Sequence, residues 1–418
     1  MLITWTPQQY GIPQPSSLLG ADTKLHVLGD SMTFNGASGK WDAGYSQHLT
    51  YFTDGIYIFP PTAGSGTAGA TGGNLSRSGT EPSDWVASLA EIVSSVGDGV
   101  LIIGGIQNSA NTAAQDWANF ETILSACSAA ARIYVVPAAP TMASFTKAPK
   151  NDDFNTLASA FCNATPNCTF LSDAWTSPNL VALALDASTP GPDSYDGTHQ
   201  NAVGSRKQAE NMWLQMSADW TDEDAFTNYD LGDNLFAASY AMPGNTAGRA
   251  DGVTIVDGSV GAILIPTKDT ITYEGVAYTA QALTISGIAT ATGNCSIRRN
   301  GFATDFDALD IFDLIFLVEI SNAAGNGPPV GLRTVAAATY FNRIIWGGTS
   351  VTVGGDLASA FQVGPHLVRV EQYAATEPSA GGTSLNFDFA FTLNTGVAAD
   401  AKIKVARLAC FNRTALGL

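Results

Sequence analysis

Residues 25–33 read Leu25-His26-Val27-Leu28-Gly29-Asp30-Ser31-Met32-Thr33. The run from Leu25 to Leu28 is a short strand candidate that passes directly into Gly-Asp-Ser. If it opens a parallel sheet, Ser31 stands at the sheet's carboxyl rim. Doubly wound α/β folds place ligands there, and the helix that follows aims its backbone N–H groups at the same spot.

Outward from this stretch, strand and helix patterns alternate. Helical periodicity over Asp84 to Ser94 precedes a strand candidate at Val100 to Ile103. Ala113 to Ala131 precedes Ile133 to Val136, Asp152 to Cys162 precedes Thr169 to Leu171, and Ala202 to Met216 closes the series. The apolar runs are nearly continuous, as in strands buried on both faces, so successive βαβ units around a parallel sheet are expected. The Gly/Ala/Thr-rich stretch from Thr62 to Gly73 reads as a long loop within the first unit.

After about Phe226 the helical period disappears. Seven of the eight tryptophans lie before residue 221, and the strand-like runs beyond it are Val253 to Val256, Ala262 to Ile265, Ala282 to Ile285, Ile311 to Val318, Thr339 to Ile345, His366 to Tyr373, Leu385 to Thr392 and Ile403 to Phe411. Separated by Asp-Gly, Gly-Asn and Gly-Gly turns, they suggest an antiparallel β-sandwich, jelly-roll-like. The expected division is an N-terminal arm (1–22), an α/β domain (23–222), a linker (223–235) and an all-β domain (236–418).

Composition narrows the function. With 37 acidic against 19 basic side chains and a formal charge of −18, the 418-residue chain lacks the clustered Lys and Arg that nucleic acid or an anionic membrane requires. No apolar window is long enough to predict a membrane span. Met1 to Tyr10 shows no basic n-region followed by an apolar h-region, so no Sec-type signal peptide is visible. Cys127, Cys162, Cys168, Cys295 and Cys410 include no Cys-x-x-Cys pair, so a metal site is not expected. Cys162 and Cys168 flank a polar loop, a spacing open either to a local disulfide or to two core thiols.

Far downstream, Tyr195-Asp196-Gly197-Thr198-His199-Gln200-Asn201 precedes the last helical pattern. Three residues apart on a tight turn, Asp196 and His199 can face one way, the carboxylate accepting the imidazole N–H. Ser31, Asp196 and His199 then provide a nucleophile, an orienting acid and a base, in the chain order Ser, Asp, His. Asp193, six residues before His199, is the poorer partner. Of the other histidines, His26 reads as a core or sheet-face residue, and surface or loop roles are expected for His48 and His366. Asp173 reads as a turn or cap residue.

Gly29-Asp30-Ser31, Asp196-Gly197-Thr198-His199 and the continuation Asn201-Ala202-Val203-Gly204 closely resemble the first and last sequence blocks of the SGNH (GDSL-type) hydrolases. The likeness covers roughly residues 22–220. It implies a flavodoxin-like three-layer α/β/α domain, a serine esterase with Ser31 as nucleophile, His199 as base and Asp196 supporting it, and no cofactor. It also implies an oxyanion hole formed by the Ser31 N–H, a glycine N–H and a side-chain amide. Asn74-Leu75-Ser76-Arg77-Ser78-Gly79-Thr80 looks like the second block and supplies Gly79. Where the family has Gly-x-Asn-Asp, this chain has Gly104-Gly105-Ile106-Gln107-Asn108-Ser109, so the amide is Asn108 or, in a gapless match, Gln107.

The second half resembles, in architecture only, carbohydrate-binding modules and virion fibre domains. Aromatic residues there such as Tyr278, Tyr340, Phe341, Trp346 and Tyr373 read as sugar-stacking surfaces or as core. Low lysine content and abundant Gly, Ala, Thr and Ser are similar to phage tail proteins. The expected activity is deacetylation of O-acetylated bacterial surface polysaccharide by an extracellular or virion-associated protein, with a homotrimer or other virion proteins as partners. The alternatives are a virion structural or receptor-binding protein with a weak hydrolase-like half, and a bacterial lipid or carbohydrate esterase.

Overall fold

The computed structural model describes residues 18–20, 22–30, 33, 45–53, 73, 75–77, 79–139, 148–176, 200, 202–221, 225–226, 228–236, 240–258, 260–291, 293–303, 307, 310–321, 329–334, 344–345, 364–373, 384–393, 395–396 and 398–418. Four strands, β1 (Leu25–Gly29), β2 (Val100–Gly104), β3 (Arg132–Val136) and β4 (Cys168–Phe170), pair in parallel in the order β1-β2-β3-β4. A further segment lies along the free edge of β1. Val27 N–H donates to Gly73 O at 2.9 Å, Leu75 N–H to Val27 O at 2.7 Å, and Arg77 N–H to Gly29 O at 3.1 Å. The spatial order is therefore Gly73 with residues 75–77, then β1, β2, β3, β4. The chain goes to one side of β1 and then crosses to the other, as in a doubly wound sheet, and the switch point falls between β1 and β2.

Alternate strand residues feed two cores. Leu25, Val27, Val100, Ile102, Tyr134 and Val136 join one, with α1 (Tyr45–Phe52) and, from later in the chain, the helix Ala202–Met216. Leu28, Leu101, Ile103, Ile133 and Val135 join the other, with α2 (Pro82–Ala87), α3 (Leu89–Val96), α4 (Ala113–Ala126) and α5 (Ala148–Ala164). Three layers result, because each strand is apolar on both faces. The helix Ala202–Met216 is α6.

Local chemistry sets the boundaries. The helix expected over Asp84 to Ser94 is two helices meeting at Ser88. The one expected to run to Ala131 stops at Ala126. It begins in a capping box between Thr112 and Gln115, and it must end early so that Ala131 N–H reaches Gly99 O at 2.9 Å and β3 starts beside β2. α1 was not expected, since Ser46, His48 and Thr50 obscure its period. All five cysteines are free and buried, so Cys162 and Cys168 are core thiols. A hydrogen bond to Cys168, together with burial, keeps the Cys162 thiol protonated.

The second half forms two antiparallel sheets. One has the order β11 (Ile344–Ile345), β10 (Pro329–Thr334), β13 (Ser384–Leu393), β8 (Gly293–Ala303), β5 (Val253–Asp257). The other has the order β12 (Pro365–Tyr373), β9 (Ile311–Ser321), β14 (Ala398–Asn412), β7 (Val276–Ala291), β6 (Val260–Tyr273). β6 and β7 form a hairpin closed by Glu274 and Gly275, both at positive φ, the backbone that a two-residue turn of this hand needs. Phe316 of one sheet packs against Phe387 and Phe389 of the other, with centroids 5.4 and 6.4 Å apart, an arrangement consistent with a β-sandwich. Of the expected run Thr339 to Ile345, the described part is Ile344–Ile345. β8 and β10 were not expected.

The halves share one core, which runs from Leu25 and Leu49 through Met216 and Phe236 to Leu283, Phe312 and Phe389. Surface roles for His48 and His366 are corrected here. His48 is fully buried in α1, and His366 of β12 stacks on Tyr51 of α1 with ring centroids 4.0 Å apart. Arg369, buried on β12, bonds Asp313 at 3.0 and 2.8 Å and Asp22 at 2.7 Å. Tyr229, which also donates to Asp313, stacks on Phe411 at 4.1 Å. Leu19 pairs with the chain after α6: its N–H donates to Asp219 O at 2.9 Å, and its carbonyl accepts from Thr221 N–H at 2.8 Å. The Asp219 carboxylate in turn holds Arg132 and Tyr134.

Replacing Arg369 by Leu leaves Asp313 buried without its cation, and urea unfolding should show a loss of about 3–5 kcal/mol. Burial lowers the pKa of both His26 and His366 from 6.5 to about 4. The unfolded chain therefore takes up these protons first as pH falls through about 6.5, and stability drops until the folded pKa is passed. Between about pH 7 and about pH 5 each histidine should cost about 1–2 kcal/mol, and His366→Leu should flatten the unfolding midpoint over that window relative to the parent.

Candidate functional site

The site is built at the carboxyl rim of β1 and β2, where glycines let backbones meet. A Cβ on Gly29 would lie 2.2 Å from Thr33 Oγ1 and 2.5 Å from Gly104 O, and one on Gly104 would lie 2.7 Å from Val136 Cβ. Thr33 N–H donates to Asp30 O at 3.2 Å, drawing the two ends of that stretch together. Tyr45 of α1, its hydroxyl held protonated by burial, donates to Thr33 Oγ1 at 3.2 Å.

Asp30 is fully buried, and its Oδ2 accepts the Gln107 N–H at 3.2 Å. That bond joins the loop after β1 to the loop after β2. Gly105 makes it possible: its φ is +99°, and a Cβ there would stand 2.7 Å from Asp30 Cγ.

Gly79 follows the edge residues 75–77. Its φ is +80°, and among the described residues no atom beyond its chain neighbours lies within 4 Å of where a Cβ would be, so its backbone is open on that side. The next residue, Thr80, is held on three sides. Its hydroxyl donates to Arg77 O at 2.8 Å and accepts from Trp85 Nε1 at 2.9 Å, and its carbonyl accepts from Asn108 Nδ2 at 3.2 Å. Asn108 thus ties the β2 loop to the Gly79 turn. Gln107 Oε1 accepts from Asn151 Nδ2 of α5 at 3.4 Å.

Ser31, Asp196 and His199 lie outside the described residues, as do Met32, Phe34 and Asp193. Gln200, next after His199, is buried. Its Nε2 donates to Gln208 Oε1 at 2.7 Å, and Ser205 Oγ donates to its Oε1 at 3.4 Å, so the start of α6 anchors the residue that follows the histidine. The described structure therefore brings Gly79, Gln107 and Asn108 to one rim with Asp30, the residue preceding Ser31. Asp173 is a turn residue, its carbonyl accepting from Thr176 N–H at 3.0 Å.

Sequence reasoning missed the group that holds the β2 loop. Ser109 Oγ donates to Asp116 Oδ1 at 2.6 Å, while Lys150 Nζ pairs with Asp116 Oδ2 at 2.6 Å and donates to Ser109 O at 2.8 Å. The available signal was Asp116 itself, which shares the buried stripe of α4 with Phe120, Ile123 and Leu124 at helical spacing. A carboxylate on an apolar stripe needs a buried cation or donor.

No family model matches the chain, and neither does any curated protein. Solved structures do resemble it. A Clostridium thermocellum family 3 carbohydrate esterase aligns at 19% identity over 47% of this chain and 96% of its own, with a TM-score of 0.36. An acetylxylan esterase from Geobacillus stearothermophilus aligns at 15% over 49% and 99%, with a TM-score of 0.37. A lipolytic protein of the G-D-S-L family from Veillonella parvula aligns at 13% over 47% and 98%, with a TM-score of 0.34. Chains similar to about half of this one are thus esterases and a G-D-S-L lipolytic protein.

Gly105→Ala and Gly79→Ala both force a side chain into positive φ, at roughly 1 kcal/mol. Only the first also collides with Asp30, so thermal unfolding should show Gly105→Ala destabilised by about 2 kcal/mol more than Gly79→Ala.

Proposed function

We propose that the protein is a serine esterase that removes acetyl groups from neutral O-acetylated carbohydrate. The observation that carries this reading is the rim itself. At the switch point of a doubly wound sheet, the Gly-Asp-Ser stretch is coupled through Asp30 and Gln107 to a loop bearing two side-chain amides. That loop is coupled in turn through Asn108 and Thr80 to a glycine with open backbone. In this reading Ser31 Oγ attacks the ester carbonyl while His199, oriented by Asp196, takes its proton. The Ser31 and Gly79 N–H groups and one amide of the 107–108 pair receive the oxyanion. The tetrahedral intermediate expels the alcohol, to which His199 returns the proton. Water, deprotonated by His199, then releases acetate from the acyl-enzyme.

A chain of net charge −18 repels anionic substrates at a distance, which favours neutral acetylated sugars. No metal or organic cofactor enters the scheme.

Ser31→Ala should hydrolyse p-nitrophenyl acetate roughly 10³-fold or more slower than the parent. Among C2, C4, C8 and C12 esters the acetate should have the highest kcat/KM, and acetylated polysaccharide should release acetate. A Ser31→Ala protein as fast as the parent removes the serine mechanism; a C8 optimum removes the carbohydrate assignment and points to lipid esters.

A further inference from the structure

We infer that the first half of β6 is a contact between two copies of this chain, whose β6 strands pair antiparallel about a two-fold axis and continue one sheet into the other. The inference is independent of the esterase reading. β6 ends its sheet, and among the described residues no strand pairs with its outer side. A sheet edge presents unpaired N–H and C=O groups, which proteins guard with proline, lysine or a covering loop. The second half of β6 has all three guards. Pro266 has no N–H, Lys268 Nζ donates to Met242 O, and Gly248 sits so close that a Cβ on it would lie 2.2 Å from Pro266 O. Between the bulge at Gly261 and Pro266, the stretch Ala262 to Ile265 has none. Both of its faces are unfinished. Outward, Ile263 and Ile265 are 57% and 49% exposed, and with Ile288 of β7, 55% exposed, they make an apolar patch beside Thr284 and Ser286. Inward, Ala262, Leu264 and Ile255 of β5 pack on the core but are only partly covered. A partner laid flat on the outer face covers the isoleucines alone, whereas an added strand covers both faces at once.

Charge and symmetry make that strand the same strand of a second copy. With a net charge of −18, two copies repel over most of their surface, yet residues 258–267 and 275–294 contain no charged side chain. At this edge the copies meet without that penalty. The pairing is also self-complementary. A proline cannot donate to the ladder, so its nitrogen in β6 faces the free edge, and by the two-residue period of a strand Ala262 and Leu264 turn their backbone groups the same way. Centred on Leu264, the two strands exchange N–H···O=C bonds between the two Leu264 residues. Ile263 of each copy then stands beside Ile265 of the other on the outer face. Such a contact closes at two copies. About ten residues of β6 and β7 in each copy, at roughly 30 Å² apiece, bury about 600 Å² in total. That is less than the ~1,000 Å² of a lasting complex, so the dimer is a weak one that dissociates in the micromolar range.

Sedimentation velocity of the full chain tests this over roughly 1 to 200 μM, where the monomer should pass into a dimer. Ile263→Lys combined with Ile265→Lys places like charges opposite each other across the axis and should raise Kd by about tenfold or more. Leu214→Lys on α6, at a side chain 71% exposed and far from β6 in sequence, should dimerise as the parent does. Hydrogen exchange on the parent chain needs no variant, and it should show the Leu264 amide exchanging more slowly as concentration rises. A chain monomeric at the top of the range, a trimer or larger ring, or a dimer left intact by the paired lysines would each overturn the proposal. So would a Leu264 amide equally protected at every concentration, the sign that a segment of the same chain occupies this edge.

Discussion

The architecture of the site depends on one buried carboxylate. Asp30 ends the first strand with no solvent contact, and its bond to the Gln107 N–H brings the loops after β1 and β2 within reach of each other. Such closeness is affordable only where side chains are missing. Gly29, Gly104 and Gly105 each stand where a Cβ would strike a neighbour at under 3 Å. Backbone packed that closely has little room to move, and under the proposed esterase reading such a rim holds its donors in place before charge develops. Around it, Asp116 and Lys150 hold the β2 loop from one side, and Asn108 on Thr80 holds it from the other.

The all-β half is more than an appendage to this unit, because a single apolar core passes through both. α1 lies between the parallel sheet and β12, so the helix that holds Thr33 through Tyr45 also meets the second half through Tyr51 and His366. Arg369 gathers Asp22, Tyr229 and Asp313 from three parts of the chain around one buried guanidinium, with Asp22 on its exposed side. A buried ion group of this kind fixes geometry more than it adds net stability, because desolvation offsets much of the attraction. The acid sensitivity of the two neutral histidines follows from the same burial.

Much of the fold was legible in the chain. Apolar runs such as Val100 to Ile103 and Ile133 to Val136 became the central strands because strands buried on both faces have no polar alternation to confuse them. Ala202–Met216 matched its pattern end to end. The failures have physical causes too. The last turn expected of α4 was surrendered to β3, since five residues were needed to descend to the sheet beside Gly99. α1 carries His48 and Thr50 on a buried face, so its period is invisible to a hydropathy reading. His366 looked like a loop residue because the ring it stacks on, Tyr51, is more than 300 positions away in sequence.

By itself the sequence determined the residue types and their order: Gly-Asp-Ser after a strand, Asp-x-x-His before a helix, a glycine-rich turn, two adjacent amides, and a change at about residue 226 from alternating helix and strand to strand alone. Those are local properties, written in composition and period. Which partners hold each amide, and which loops they thereby join, was decided only in three dimensions. Asp30, Thr80, Gln107 and Asn151 come from four separate stretches, and such neighbours are met only after folding.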